Sequence, residues 1–168
     1  MNEKTFWKII DTSLVASEDD VEKQLKNIEE QLLKLPATGI SDFDRICTEL
    51  HNDAYRWDLW AAAYVINGGC SDDGFDYFRA WLISRGREVY EAALDDPDNL
   101  ADYLEGDDGE CELEELLNLA GRVYKVKTGE LLPASGVTRP AEPAGESWEE
   151  DDAELRRIVP RLWKKFGG

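Results

Sequence analysis

The sequence predicts an all-α protein, a single-domain bundle of about six to eight helices around an aromatic-rich central helical hairpin. Apolar residues recur at spacings of three and four over most of the chain, as they do on one face of a helix. Residues that cap or end helices stand between these stretches, and no stretch alternates as a half-buried strand does. A chain of 168 residues, 42% of them hydrophobic, fits one compact domain with a substantial core.

Two helices are predicted at the start of the chain, from about Glu3 to Leu14 and from about Asp19 to Leu35. The second has one apolar stripe at spacings of four and three, formed by Val21, Leu25, Ile28, Leu32 and Leu35. Ser17 stands three residues before Asp20 and is the expected cap of the second helix. Pro36 should end that helix, because proline removes a donor that a helix interior needs.

The third and fourth helices lead into the central hairpin. The third should begin near Ser41, which has capping-box spacing to Asp44. The fourth runs from about Tyr55 to Ile66, and after Asp58 it is apolar on nearly all sides, which is typical of a buried central helix. The glycine pair 68–69 should end it, because glycine accepts the left-handed conformation of a helix terminus.

The fifth helix should begin at Ser71, with Asp72 and Asp73 in its first turn, where carboxylates favour the positive end of the helix dipole. Antiparallel packing against the fourth helix, across the tight glycine turn, should bring the aromatic rings of both helices together. Gly86 is expected to kink or end the fifth helix, before a short helix from about Glu88 to Leu94.

The rest of the chain is predicted to hold a short helix from about Asn99 to Glu105 and a longer one from about Glu112 to Val126. Between about Asp151 and Phe166, Pro160 predicts a kink or two short helices in place of one straight helix. We therefore divide the chain into a helical core domain at 1–132, a Pro- and Gly-containing extended loop at 133–147, and a C-terminal helical segment at 148–168 that packs on the same domain.

The charge distribution favours a basic partner over nucleic acid. The net charge is -18, and between Asp95 and Glu154 the chain has 19 acidic against 4 basic residues. Such a surface repels nucleic acid phosphates and anionic lipid head groups, so we expect neither nucleic acid nor a membrane as a partner. The acidic excess either keeps a solvated surface soluble or docks a basic protein.

The compartment is predicted from what the chain does not contain. No run of about 20 apolar residues is present, so we expect no membrane-spanning helix. The first residues, MNEKTFWKIIDTS, have neither the apolar core nor the cleavage site of a signal peptide. Three cysteines without paired spacing fit reduced thiols better than a disulfide framework. We therefore expect a cytoplasmic protein.

A specific resemblance begins at Tyr55. The residues YRWDLWAAAY at 55–64 and INGGCSDDGF at 66–75, followed by GREV at 86–89, are similar to the signature of a bacterial family catalogued as domain of unknown function 4240. The opening pair Phe6-Trp7 matches as well, and the resemblance extends more loosely to Pro160-Arg161-Leu162-Trp163. The resemblance implies a standalone cytoplasmic domain and supplies no catalytic residue.

Aromatic and charged residues cluster on the central hairpin, and the sequence leaves two interpretations open. As packing, the rings form a tryptophan-rich core in which Asp58 or Asp76 neutralises Arg79. As a pocket, tryptophan faces bind an apolar or ring-shaped ligand while an arginine holds a carboxylate or phosphate. The candidate ligand-binding residues are Arg56, Trp57, Asp58, Trp60, Tyr64, Cys70, Asp72, Asp73, Arg79, Trp81 and Arg85.

Cysteines and the acidic loop suggest other chemistry less strongly. Cys70 precedes a helix start, where free amides stabilise a thiolate, but the two aspartates that follow it oppose this effect. Cys47 and His51 are one helical turn apart and would form a Cys₃His zinc set with Cys70 and Cys111, although no CxxC element is present. The acidic loop 106–110 lacks the ligand spacing of an EF-hand. We predict no metal site, no cofactor and no catalytic residue, since no known catalytic motif occurs.

Two hypotheses about function remain. The first is a non-catalytic binding or adaptor domain with an acidic protein-docking surface. The alternative is a small-molecule-binding protein or enzyme with a site at the aromatic and arginine-rich hairpin, around Gly68–Arg85. A purely oligomerising domain would instead show a large exposed apolar patch.

Overall fold

The computed structural model describes residues 1–106 and 108–167, so Asp107 of the acidic loop and Gly168 lie outside the described residues. Within these ranges the fold is all-α, with nine α-helices, one 3₁₀ helix and no strand. The α-helices, labelled α1 to α9 in chain order, span Glu3–Ser17, Val21–Leu33, Ala37–Asp53, Trp57–Asn67, Asp72–Ser84, Arg87–Asp95, Glu114–Thr128, Asp152–Ile158 and Pro160–Phe166. The 3₁₀ helix spans Pro97–Asp102. The number exceeds six to eight because the breaks expected at Gly86 and Pro160 each separate two helices.

Several helix boundaries lie where local side chains predict them. Ser71 caps α5, since its hydroxyl oxygen accepts a 3.1 Å hydrogen bond from the Gly74 amide. Gly68 ends α4 in the left-handed conformation, with φ of 68°. Pro160 is the first residue of α9, a position where its missing N–H costs nothing.

The predicted cap of α2 and the predicted start of α3 are wrong. Asp20, not Ser17, caps α2 by accepting from the Lys23 amide, while Ser17 is the last residue of α1. The third helix begins at Ala37, because the Pro36 carbonyl already accepts the first helical hydrogen bonds; Ser41 therefore lies inside it.

The fourth helix begins at Trp57 because the two residues before it pair with a distant segment. The Trp57 amide donates to the Ala144 carbonyl and the Ala144 amide donates to the Tyr55 carbonyl, both at 2.9 Å. Tyr55 and Arg56 are thereby held in an extended bridge to the loop between α7 and α8. We call residues 129–151 the connecting loop; they contain no helix.

Helix α5 lies at the centre of the core. Its inward residues Phe75, Phe78 and Leu82 are fully buried, as their helical spacing predicts, and it contacts α1, α3, α6 and α7. The predicted hairpin also forms. The Trp60 ring of α4 stacks on the Phe75 ring of α5, with centroids 4.9 Å apart and planes at 14°.

The two C-terminal helices both pack on α4, and α9 also packs on the 3₁₀ helix. Asp98 is buried and accepts hydrogen bonds from the amides of Arg161 (3.1 Å) and Leu162 (2.9 Å), so a remote carboxylate caps α9. Lys165 donates to the carbonyls of Ala101 and Leu104. Among the described residues, no helix combines the length and the apolar character that crossing a membrane requires.

Candidate functional site

Arg79, one of the predicted anion-binding residues, is buried in the core with 1% of its surface exposed. Its guanidinium donates to the carbonyl oxygens of His51 (2.8 Å) and Phe75 (3.3 Å) and to the carboxylate of Asp76. It also lies 4.5 Å from the centroid of the Tyr55 ring. Burial lowers the pKa of Arg79 to about 10, so the group stays charged at neutral pH. Arg79 thus joins α5 to the end of α3 and presents little surface to a ligand.

His51 belongs to the same buried cluster. Its ring Nε2 lies 2.9 Å from the Asp76 carbonyl oxygen, and because a carbonyl only accepts, Nε2 carries the proton. Burial, together with the charge of Arg79, lowers the pKa of His51 to about 4. Arg139 of the connecting loop donates to the Asp76 carboxylate at 2.8 Å. The cluster is therefore a structural tie between α3, α5 and the connecting loop.

Arg56 is also paired. It donates twice to Asp58, at 3.0 and 2.6 Å, and once to the Leu94 carbonyl at 2.7 Å. An open cavity of about 570 Å³ lies beside this pair, with Glu154 and Arg157 of α8 forming a second ion pair at its wall. Charges of both signs line this cavity, so it favours neither an anion nor a cation strongly.

Arg85 and Trp81, near the other end of α5, lie far along the helix from the glycine turn. Arg85 donates to the Gln24 side chain at 2.9 Å and approaches Asp19 at 3.7 Å. Trp81 is buried against Phe78, with centroids 5.4 Å apart. Neither residue belongs to the same cavity as the tryptophans of α4.

A wide groove of about 640 Å³ lies where α4, the start of α5 and the connecting loop meet. We call it the tryptophan groove. Its lining residues are Trp57, Trp60, Cys70, Ser71, Asp72, Trp148, Glu149 and Glu150. It therefore combines four of the predicted site residues with three from the connecting loop. Tyr64 supports it from behind, with its ring 5.5 Å from that of Trp148.

The walls of the tryptophan groove are aromatic and fixed. Trp57 stacks on Trp60 with centroids 5.3 Å apart and planes at 10°, and Phe75 continues this column. Trp148 stands at 85° to Trp57, with centroids 6.3 Å apart. The Trp60 indole donates to the Cys70 carbonyl at 3.0 Å, and the Trp148 indole donates to the Trp57 carbonyl at 2.6 Å. Two of the three indole rings are thus oriented by backbone hydrogen bonds.

The rim of the groove is acidic. Asp72, Glu149 and Glu150 are exposed carboxylates, and no basic residue lines this groove. Among the described residues, none of the three forms an ion pair. A groove with aromatic walls and an anionic rim attracts cations.

Further carboxylates lie beyond the rim, at the start of α5 and at the start of α7. The Leu113 amide donates to the Tyr77 carbonyl at 3.0 Å, which places the start of α7 beside α5. Glu114 raises the pKa of Tyr77, with a smaller contribution from Asp73. We call Asp72, Asp73, Glu112 and Glu114 the acidic face.

The thiols are not activated. Burial, with a smaller contribution from the charge of Glu112, raises the pKa of Cys70 to about 12, so the thiol stays protonated at neutral pH despite its position before a helix start. Burial likewise raises the pKa of Cys47 and of Cys111 to about 12. Within residues 1–106 and 108–167, no three His, Cys, Asp or Glu side chains group as metal ligands would, so the Cys₃His set does not assemble.

Two features of the structure were not predicted from the sequence. Trp148 lies in an acidic stretch without helical periodicity, so nothing but its residue type could have placed it in the site. The second feature is the group of five basic residues at 156–165, for which no role was predicted in this acidic chain. Several of them bind within the protein: Arg157 pairs with Glu154, Arg161 with Asp102, and Arg156 lies 5.3 Å from the Trp163 ring centroid.

Comparison with known proteins gives a family and nothing more specific. A family model described as "Protein of unknown function (DUF4240)" matches residues 1–126. No curated protein and no solved structure shows significant similarity to the chain. The match includes the central hairpin and the acidic face, whereas Trp148, Glu149 and Glu150 follow it. Because the match covers three quarters of the chain, the protein belongs to the DUF4240 family.

Proposed function

We propose that this protein is a non-catalytic binding or adaptor domain that docks a basic partner protein on its acidic surface. The observation that carries the proposal is that few of these acidic residues are neutralised by basic residues of the protein itself. Between Asp95 and Glu154, among the described residues, only Asp102 and Glu154 form an ion pair. Most of the other carboxylates in this stretch are exposed, so their charge is available to a partner.

The state of the reactive groups supports a non-catalytic role. The sole histidine is buried and bonded to a carbonyl, and the three thiols have raised pKa values. Arg56, Arg79 and Arg85 are engaged by groups of the protein itself. The three free cysteines also support the reducing cytoplasm as the compartment.

A defined basic probe tests this proposal. An octapeptide of alternating lysine and glycine should bind at low ionic strength, and its affinity should fall steeply as NaCl is raised toward the physiological range. Isothermal titration calorimetry measures both. The variant Asp73→Asn/Glu112→Gln/Glu114→Gln should weaken binding, whereas Glu18→Gln/Glu22→Gln/Glu30→Gln, three exposed carboxylates at the start of the chain, should bind nearly as tightly as the unmodified protein. A peptide affinity that changes neither with salt concentration nor with the acidic-face substitutions would refute the proposal.

The alternative, a small-molecule site at the hairpin, is favoured by one observation, the tryptophan groove beside Gly68–Gly69. The small-molecule site predicted from the sequence includes an arginine that holds an anion, whereas no arginine lines this groove. A rise in melting temperature with a small apolar or ring-shaped compound, and none with basic peptides, would favour the alternative.

A further inference from the structure

We infer that the tryptophan groove holds an arginine side chain of the basic partner. This inference rests on the proposed function, because it assumes that the partner is basic, and it adds where the partner inserts and by which side chain. The groove brings several aromatic rings and three exposed carboxylates that form no ion pair together in one cavity.

The aromatic walls suit a guanidinium. Trp57 and Trp148 are both partly exposed and stand nearly perpendicular to each other, while Trp60 lies between Trp57 and Phe75 and supports the Trp57 ring. A cation over an indole face is attracted by the ring quadrupole, most strongly for tryptophan. The chain already uses this contact with its own arginines, at Arg79 over Tyr55 (4.5 Å) and at Arg156 over Trp163 (5.3 Å).

The rim distinguishes arginine from other cations. A guanidinium is planar, so it stacks on an indole while its N–H groups reach carboxylates sideways. Asp72, Glu149 and Glu150 provide such acceptors on the rim. A quaternary ammonium has no N–H to donate, and a lysine ammonium is compact and strongly hydrated, so both gain less from this combination of walls and rim.

The groove is organised before a ligand arrives. The indole hydrogen bonds of Trp60 and Trp148 fix two wall rings to the backbone. The positive end of α5 also opens beside the groove, but Asp72 and Asp73 in its first turn offset that charge. A cation therefore enters a rigid site without opposing charge, which reduces the entropy lost on binding.

Three octapeptides of equal length test the inference by isothermal titration calorimetry: alternating arginine–glycine, lysine–glycine and citrulline–glycine. Citrulline keeps the shape of arginine and removes its charge. We expect the arginine peptide to bind at least about fivefold more tightly than the lysine peptide, and the citrulline peptide not to bind. Equal affinity for arginine and lysine peptides, or competition by tetramethylammonium chloride beyond that of equimolar KCl, would overturn the choice of arginine.

Two variants locate the site. Trp148→Ala should weaken the arginine peptide about tenfold, and Trp163→Ala, which alters a partly exposed tryptophan outside the groove, should not. Because Trp148→Ala also loosens the connecting loop, Glu149→Gln/Glu150→Gln provides a second test that changes only exposed side chains; it should weaken the arginine peptide more than the lysine peptide. If basic peptides bind and respond to the acidic-face variant but not to these two, the groove inference fails and the proposed function stands. If no basic peptide binds, both fail.

Discussion

The Trp148 indole donates a 2.6 Å hydrogen bond to the Trp57 carbonyl across 91 residues of sequence. Together with the two backbone bonds between Ala144 and the residues around Arg56, it fixes the connecting loop to the start of α4. One wall of the tryptophan groove therefore lies outside residues 1–126, the part that the family model matches. The family-matched helices supply the aromatic column, and the connecting loop turns it into a groove.

Replacing Trp148 with phenylalanine keeps an aromatic ring and removes the donor. We expect the free energy of unfolding to fall by about 1 kcal/mol, the usual net value of one hydrogen bond. Trp148→Ala should cost more, about 2–3 kcal/mol, because it also removes the contacts with Trp57 and Tyr64. Urea denaturation followed by circular dichroism measures both. Equal stability of the phenylalanine variant and the unmodified protein would show that the indole bond contributes nothing.

Local signals in the sequence were sufficient to predict most of the fold. Ser71, Gly68 and Pro160 each act through their own backbone or their nearest neighbours, so their effect can be read without the rest of the protein. The aromatic column follows from the same reasoning, because helical spacing on two helices joined by a short turn restricts which rings can meet.

Features that depend on distant residues could not be predicted. Asp98 caps α9 from 64 residues away, and the residues next to Asp98 in the sequence do not predict this role. The sequence left open whether Arg79 pairs with Asp76, as it does, or binds a ligand, because sequence does not reveal that carbonyls of α3 and α5 also surround it. Helix α4 begins two residues later than predicted for the same reason, because the residue that pairs with Arg56 is the distant Ala144.

Arg79→Met should destabilise the protein by about 3 kcal/mol or more. The change removes a buried charge that three acceptors share and leaves the His51 carbonyl without its donor. Arg139→Met is the matched control, because Arg139 binds the same carboxylate from an exposed position and should cost no more than about 1 kcal/mol. Chemical denaturation of the two variants should therefore give clearly different midpoints; similar midpoints would contradict a structural role for the buried arginine.

Gly86→Ala should cost about 3 kcal/mol, from backbone strain and a displaced carboxylate. Gly86 has φ of 95° and ψ of 169°, a region that is essentially restricted to glycine. A Cβ there would lie 2.7 Å from the Asp11 carboxylate, which accepts from the Arg87 amide and so ties α1 to α6. Gly68→Ala is the control. Its φ is also positive, but open space surrounds it, so the loss should stay near about 1 kcal/mol. Thermal melts should show a clearly larger loss of stability for Gly86→Ala, and equal losses would contradict it.

His51 should make stability depend on pH between about 6.5 and 4. Burial, with Arg79 nearby, lowers the folded-state pKa to about 4, whereas the unfolded chain titrates near 6.5. Between these values the unfolded state binds more protons than the folded state, so lowering the pH favours unfolding. The stabilisation is complete above about pH 6.5 and is lost progressively down to about pH 4, on the order of 3 kcal/mol in all.

The measurement is unusually direct because the chain has a single histidine. The ring protons of His51 should show no titration by NMR from pH 8 down to about 5, while those of the urea-unfolded chain titrate near 6.5. His51→Gln keeps a donor for the Asp76 carbonyl but cannot titrate, so its unfolding free energy should change less between pH 6.5 and 5 than that of the unmodified protein. Carboxylates titrate in both proteins, and the difference between the two curves therefore isolates the histidine. A folded-state pKa near 6.5 would mean that the ring reaches water and is not buried among α3, α5 and α7.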